Sequence, residues 1–300
     1  MITKINNRRR SRNVSRDGKL ALLLLGIPLA WWIVISAFPL LFGLLLGFFE
    51  WNGLSAVPKF NGLQNYLIFF SSDLYFTPLI RSFTIGGLCF LATTIIGFSV
   101  AILLNSIFKF QGFFRTLWYI PVVTSSVATS QIFNILLDQN NGVINNILIS
   151  FGKEPVMWIL NENWAVFWIV VYSAWKGLGT TALLCLAGLQ SVDKSLLEAS
   201  RVDGAGGWKS FWNITIPQMS PILIYVAISG FSASIQIYEQ VLFITNGGPF
   251  GKTEVLAFRI MKDAFWDNNF GMAGASSIIM TFSTFIFALL IFRSQRETVK

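Results

Sequence analysis

Q-S-V-D-K-S-L-L-E-A-S-R-V-D-G-A-G-G-W-K-S-F-W-N-I-T-I-P, residues Gln190 to Pro217, is a polar, glycine-broken stretch between two long apolar runs. It holds three basic and three acidic residues. Ser195 and Glu198 have capping-box spacing, which predicts a helix start there. Leu196, Leu197, Ala199 and Val202 give that helix an apolar side, and Gly204 is a suitable stop because glycine takes the left-handed conformation that ends helices. Gly206-Gly207 allows a sharp turn. Trp208, Phe211 and Trp212 then recur at i, i+3 and i+4, one face of a second short helix. Ile216, preceding a proline, favours extended backbone, so a break is expected there with Pro217 opening the next apolar run. The product is a helix–turn–helix. It serves either as an interfacial loop with tryptophans in the headgroup layer or as a docking surface for a partner.

The surroundings place this segment in a membrane protein. Of the 300 residues 54% are hydrophobic and 12% charged, with mean hydropathy +0.63, whereas soluble domains run near one quarter charged. Six uncharged or nearly uncharged runs occur, at 20–49, 82–108, 116–137, 163–189, 217–238 and 268–292. Each approaches or exceeds the ~20 residues that cross a bilayer core, and their continuity rules out a β-barrel. The expected fold is all-α and polytopic, with about six transmembrane helices. The run from Leu20 is too long for a cleaved signal peptide and reads as a signal anchor. Pro121 is expected to break the third run near its start.

Charge placement gives the orientation. Seven basic residues lie in the first 19 positions. With the amino terminus inside, that tail, Lys109, Arg115, Lys194, Arg201, Lys209, Arg293, Arg296 and Lys300 give fifteen cytoplasmic cations. Six face outward: Lys59, Arg81, Lys153, Lys252, Arg259 and Lys262. The excess predicts cytoplasmic termini and a cytoplasmic Gln190–Pro217 loop. Three parts follow: a basic tail over 1–19, a membrane domain over 20–293 and a tail over 294–300. The same placement opposes nucleic-acid binding, for which the cations would cluster on one face.

Several chemistries are excluded. The chain has no histidine, the commonest general base and metal ligand, and no metal site or cofactor is expected. Cys89 and Cys185 sit in apolar runs and read as packed small hydrophobes. N-G-G-P-F-G-K-T at 246–253 ends like a phosphate-binding loop, but that motif requires glycine where Asn246 stands, and Pro249 interrupts it. Any ATPase is therefore another polypeptide. Lys176 is a charge near the middle of the fourth run, and such a cation lines a cavity or pairs. Glu239 is a candidate partner. Trp175, Gln236, Tyr238 and Glu239 could offer stacking faces and hydrogen-bond groups to a solute, giving a candidate path with Lys176. An ion-coupled secondary transporter or channel subunit using Lys176 and Glu239 is the alternative reading.

E-A-S-R-V-D-G-A-G-G-W-K-S-F-W-N-I-T-I-P at 198–217 resembles the signature loop of inner-membrane permeases of binding-protein-dependent ABC transporters. Glu198, Ala199, Gly204, Ile214 and Pro217 match its pattern, while Ser200 replaces an alanine and Ile216 a leucine. F-N-G-L-Q-N-Y at 60–66, F-F-R-T-L-W-Y-I-P at 113–121, L-A-G-L-Q-S-V at 186–192, I-T-N-G-G-P at 244–249 with Thr253, and F-G-M-A-G-A-S at 270–276 resemble further motifs of the sugar-permease branch, in family order over residues 20–295. The resemblance implies a type I importer permease of the compact six-span type, multi-pass in a bacterial cytoplasmic (inner) membrane. It implies a sugar, oligosaccharide or polyol as solute. The implied partners are a second permease subunit of different sequence, a dimer of ATP-binding subunits and an extracytoplasmic solute-binding protein. It further implies that Gln190–Pro217 carries the coupling helix, with Glu198, Ala199, Ser200, Asp203, Gly204, Ala205, Trp208, Phe211 and Pro217 meeting the ATPase subunit.

Overall fold

The computed structural model describes residues 18, 23–106 and 109–298. The cations expected in the 1–19 tail lie outside the described residues, as does Lys300. Helix α1 spans Leu23–Phe48 and contains a π-helical turn at Ile33–Ala37. A short hairpin follows, β1 Phe49–Glu50 antiparallel to β2 Lys59–Phe60, with Glu50 opposite Lys59. Then come α2 (Gln64–Ser71), α3 (Asp73–Ser106), α4 (Gln111–Val123), α5 (Ser126–Leu136), α6 (Val143–Ser150) and α7 (Glu162–Ser191). They are followed by α8 (Lys194–Val202), α9 (Gly207–Ile235), α10 (Leu256–Phe265) and α11 (Phe270–Thr298).

Among the described residues, five helices are long and apolar enough to cross a membrane: α1, α3, α7, α9 and α11 up to Arg293. The expected third run is instead divided between α4 and α5. The break is not at Pro121, which is buried inside α4, but at Thr124-Ser125, where both residues are extended. Two crossings also differ at their ends. α3 starts at Asp73, nine residues before the uncharged run, and carries Pro78 and Arg81 inside it. An aspartate in a first turn suits the positive end of a helix, and the Ser82 hydroxyl donates to the Pro78 carbonyl at 3.0 Å. The expected break at Ile216 is absent. A π-helical turn at Phe211–Thr215 carries the helix straight into Ile216 and Pro217. Pro217 stands in the first turn of the α-helix that follows, where its missing N–H matters least.

Packing follows small residues. A Cβ on Gly97 of α3 would sit 2.8 Å from Thr181 Cβ of α7, and one on Gly274 of α11 would sit 2.6 Å from the Gly47 nitrogen of α1. Close backbone approach of this kind is what holds helices together where lipid removes the hydrophobic drive. Ile85, Cys89 and Ile169 join α3 to α7 near one end, with Val255 and Phe258 from the connection after α9. Val100, Leu104, Cys185, Leu186 and Val226 do so near the other. Both cysteines are free and buried. The outward faces of α1 and α11 keep large apolar residues exposed, among them Trp31, Trp32, Phe38, Phe282 and Phe285, as a lipid-facing surface requires.

The connection between α9 and α11 is folded. Leu256 joins Phe69, Tyr75, Phe231, Ile235, Met272 and Met280 in one apolar cluster, and its N–H donates to Ser82 Oγ at 2.8 Å. Arg259 is buried beneath it. It meets Asp263 at 2.5 Å, Asp267 at 3.1 Å and Glu254 at 3.6 Å, and stands 5.2 Å over the Tyr75 ring. The phosphate-loop look-alike is part of this connection. A π-helical turn, Val241–Thr245, precedes it rather than a strand. Thr253 Oγ1 closes the loop by donating to the Gly248 carbonyl at 2.6 Å and lies 2.7 Å from Thr245 Oγ1.

Candidate functional site

Two places hold candidate functional residues. The first is the hairpin of α8 and the start of α9. Its cap is Asp193, not Ser195: the Asp193 carboxylate accepts from the Ser195 N–H at 2.8 Å. The hydrogen bonds from Ser195 hold that carboxyl below the usual aspartate range. α8 therefore begins two residues earlier than the Ser195–Glu198 spacing suggests, and Glu198 is left free of the capping task. Glu198 instead lines a polar cleft of about 610 Å³ with Asn105, Gln111, Lys194 and Arg201.

The end of α8 is as expected. Gly204 has φ +78°. The Ala205 N–H donates to the Ser200 carbonyl at 2.9 Å and the Gly204 N–H to the Arg201 carbonyl at 3.1 Å, the bond pair of a Schellman motif. Ser200 is buried, and its hydroxyl lies 2.9 Å from that of Ser210 across the turn. That pair clamps α8 to the root of α9. The Asp193 N–H donates to Gln218 Oε1 at 2.9 Å, a second tie to the same helix. The hairpin is thus fastened to α9 by two polar contacts and to α7 by the chain itself.

Its outer surface is apolar and open. Trp208 is 75% exposed, and Leu196, Val202 and Trp212 are exposed too. Trp208, Phe211 and Trp212 pack on each other at 5.6–6.2 Å between ring centroids, and Phe211 leans on Phe98 of α3 at 6.2 Å. Ala199, Asp203 and Pro217 are exposed and Ala205 half-buried. Among the described residues the ion pairs include neither Glu198 nor Asp203.

The second place is a cavity of about 350 Å³ among α3, α7 and α9. Of the expected path residues only Lys176 lines it. Trp175 turns away, packing at 5.8 Å on Phe133 and 6.0 Å on Tyr172. Gln236 and Tyr238 are exposed beyond the end of α9, and Glu239 is half-buried. No ion pair joins Glu239 to Lys176 among the described residues. The Lys176 ammonium instead donates to the Thr124 carbonyl, and its Nζ is 3.5 Å from Thr124 Oγ1. Thr124 is the C-cap of α4, where carbonyls lack helical partners and the dipole is negative. One turn earlier on the same face of α7, Tyr172 Oη donates to the Ser126 carbonyl at 3.2 Å and lies 2.7 Å from Thr129 Oγ1. Lys176 thus satisfies a carbonyl freed by the broken crossing, costly to leave unpaired in apolar surroundings, and Tyr172 ties α7 to the first turn of α5.

The remaining lining was not singled out in the sequence. Ser173 and Thr180 stand three residues before and four after Lys176, on its helix face; Thr93, Ser229 and Gln240 face them. The hydroxyl spacing around Lys176 was a legible signal. The partners from α3 and α9 were not, because only the packing brings them there.

Fold and sites define a class first: a polytopic α-helical membrane protein with a rigid, apolar-surfaced hairpin between two crossings and a polar cavity among them. Within that class, residues 93–297 match the family described as "Binding-protein-dependent transport system inner membrane component", and the chain belongs to it. Members of this family are transport permeases. The chain is similar to the lactose transport system permease protein LacF of Rhizobium radiobacter, 27% identical over 274 residues, covering 88% of this chain and 90% of that one. It is 30% identical over 270 residues to the sulfoquinovosyl glycerol transport system permease protein SmoG of Agrobacterium fabrum, covering 88% and 86%. Its fold is similar to a chain of a bacterial ABC transporter involved in alginate import, with TM-score 0.82 over 97% of this chain and all of that one at 20% identity.

Proposed function

We propose that this chain is one of two permease subunits of an ATP-driven importer for a sugar or oligosaccharide, paired with a second permease of different sequence. The saccharide solute rests on relatives named for lactose and sulfoquinovosyl glycerol and on the alginate importer of the same fold. A separate dimer of ATP-binding subunits docks on the loop 190–217. An extracytoplasmic binding protein delivers solute to the connections near 50–81, 138–162 and 241–268. The same kind of delivery is represented by the alginate transporter in complex with its alginate pentasaccharide-bound periplasmic protein. Both termini are cytoplasmic, as the basic residues predict. The carrying observation is the hairpin of α8 and α9: an exposed apolar surface continuous with α7 and tied to α9 at two points. Force on that surface reaches α7 and α9 as a rigid lever, and rigid-body movement of helices is how alternating access proceeds.

Gly204 tests this. Its φ is +78° and a Cβ there would meet nothing within 4 Å, so substitution acts through the backbone alone. Gly204→Val puts a β-branched residue in the left-handed region, costing more than the ~1–2 kcal/mol of an ordinary L-residue. Gly204→Asn tolerates it. Expected are normal membrane levels for both, with ATPase-subunit retention and ATP-coupled uptake lost in the valine variant and largely kept in the asparagine one. Full coupling in Gly204→Val would remove the lever.

A further inference from the structure

The cavity beside Lys176 carries a charge pattern that the importer reading leaves open. Among the described residues that line it, one is a cation and none is an acid. The polar remainder is almost all hydroxyl, Thr93, Ser173, Thr180 and Ser229 among it, with the Gln240 amide. The ammonium has three donors, and the Thr124 carbonyl takes one along the line of the helix end. Thr124 Oγ1, at 3.5 Å, is a weak second partner. The ammonium thus has donor capacity to spare toward the space it lines, and no carboxylate on the cavity wall neutralises it. The volume, about 350 Å³, falls at the small end of the ~300–1,000 Å³ typical of small-molecule sites.

We propose that this cavity is a solute subsite for a hydroxylated molecule bearing an anionic group, a carboxylate, sulfonate or phosphate, with Lys176 as the anion's ligand and the surrounding hydroxyls as partners of the solute's own. It rests on the importer reading and adds a charge class to the solute. The same contact gives solute a handle on the fold. An anion that shares the ammonium with Thr124 weakens the tie from Lys176 to the α4 end, at the broken crossing. Occupancy of the cavity and the geometry of that break are therefore linked, since both draw on one cation.

The test uses the assembled importer in nanodiscs of zwitterionic lipid, so that no lipid headgroup supplies the anion. The probes are digalacturonate and its carboxyl-reduced, uncharged counterpart, measured by equilibrium dialysis without the binding protein. Wild type is expected to prefer the charged probe at least ~10-fold, in line with a charge-assisted hydrogen bond. Lys176→Gln should erase the preference while binding of the neutral probe changes little, and Lys176→Arg should keep it. A purely structural role for Lys176 would lower both probes together. Equal wild-type binding of the two probes, binding of neither, or an undiminished preference in Lys176→Gln overturns the subsite. The wild-type comparison stands even where Lys176→Gln fails to assemble. Failure of the importer reading shows separately, as ATPase activity that the cognate binding protein does not stimulate in the same nanodiscs.

Discussion

At the scale of single residues, the outer connection turns on Arg259 and Asp263. Asp263 is fully buried and Arg259 nearly so, which is tolerable only because they meet at 2.5 Å. One guanidinium there faces three carboxylates. Burial is the main cause raising the Asp263 carboxyl to about 6; Arg259 opposes the rise, and Asp267 and Glu254 add to it. The folded state therefore holds a proton on Asp263 at pH values where the unfolded chain, with an aspartate near 3.9, has released it. Stability from this group is present below about 4 and is lost as pH rises through about 6. Thermal unfolding of the purified protein should show that slope between pH 4 and 6.5, and Asp263→Asn, which cannot titrate, should flatten it. An unchanged slope in the variant would assign the pH dependence elsewhere. Sequence alone gave Arg259 only as one of six outward cations. Its three acids lie at offsets −5, +4 and +8, of which only +4 is a helix-face neighbour.

At the scale of elements, the close contacts decide which helices can pair. F-G-M-A-G-A-S at 270–276 is legible as a motif, and the structure gives its physical content. A Cβ on Gly271 would lie 2.1 Å from the Phe49 carbonyl oxygen, and one on Gly274 would lie 2.6 and 2.7 Å from backbone atoms of Gly47 and Gly43. Backbone cannot give way as a side chain does. Gly274→Ala must push α11 off α1 and should cost about 1–3 kcal/mol. Gly87, inside α3 with nothing within 4 Å of an added Cβ, is the control: alanine there should be neutral or gain roughly 0.5–1 kcal/mol of helix propensity. Detergent-purified variants compared by thermal unfolding should separate clearly. A Gly274→Ala protein as stable as wild type would mean that the two helices are not held at this distance. The broken crossing is the element that sequence reading placed wrongly. Pro121 pointed to a break, but a proline near a helix end can stay helical when its neighbours absorb the lost bond. The actual break at Thr124-Ser125 is fixed by Ser125 capping α5, with Oγ accepting from the Ala128 N–H at 3.5 Å, and by Tyr172 and Lys176 from another helix. That second contribution has no local signature.

At the scale of the whole molecule, the apolar runs and the glycine-broken loop carried most of the architecture. Run length alone predicts crossings because lipid leaves the backbone no other partner than itself. The Gly204 stop and the aromatic face at 208–212 were legible for the same local reason. What needed three dimensions was the cavity, which draws its walls from residues up to 147 positions apart, Thr93 to Gln240, and the fate of Trp175, which packs inward. Orientation rests on charge counting and has its own test. The two native cysteines are buried, Cys89 at 1% and Cys185 at 0% exposure, so they give little background to thiol labelling. Lys153 lies exposed in the connection between α6 and α7, and Lys109 in the turn between α3 and α4. If the basic residues set the topology, the first is outside and the second in the cytoplasm. Whole cells, opened at the outer membrane where one is present, are treated with a membrane-impermeant maleimide. Lys153→Cys should be modified before lysis and Lys109→Cys only after the membrane is opened. Neither change disturbs the packed interior, so both proteins should insert at wild-type levels. The reverse labelling order would put the α8–α9 hairpin outside, where no ATP-binding subunit could reach it. The coupling reading would then fall with the topology even if the fold and the cavity stood.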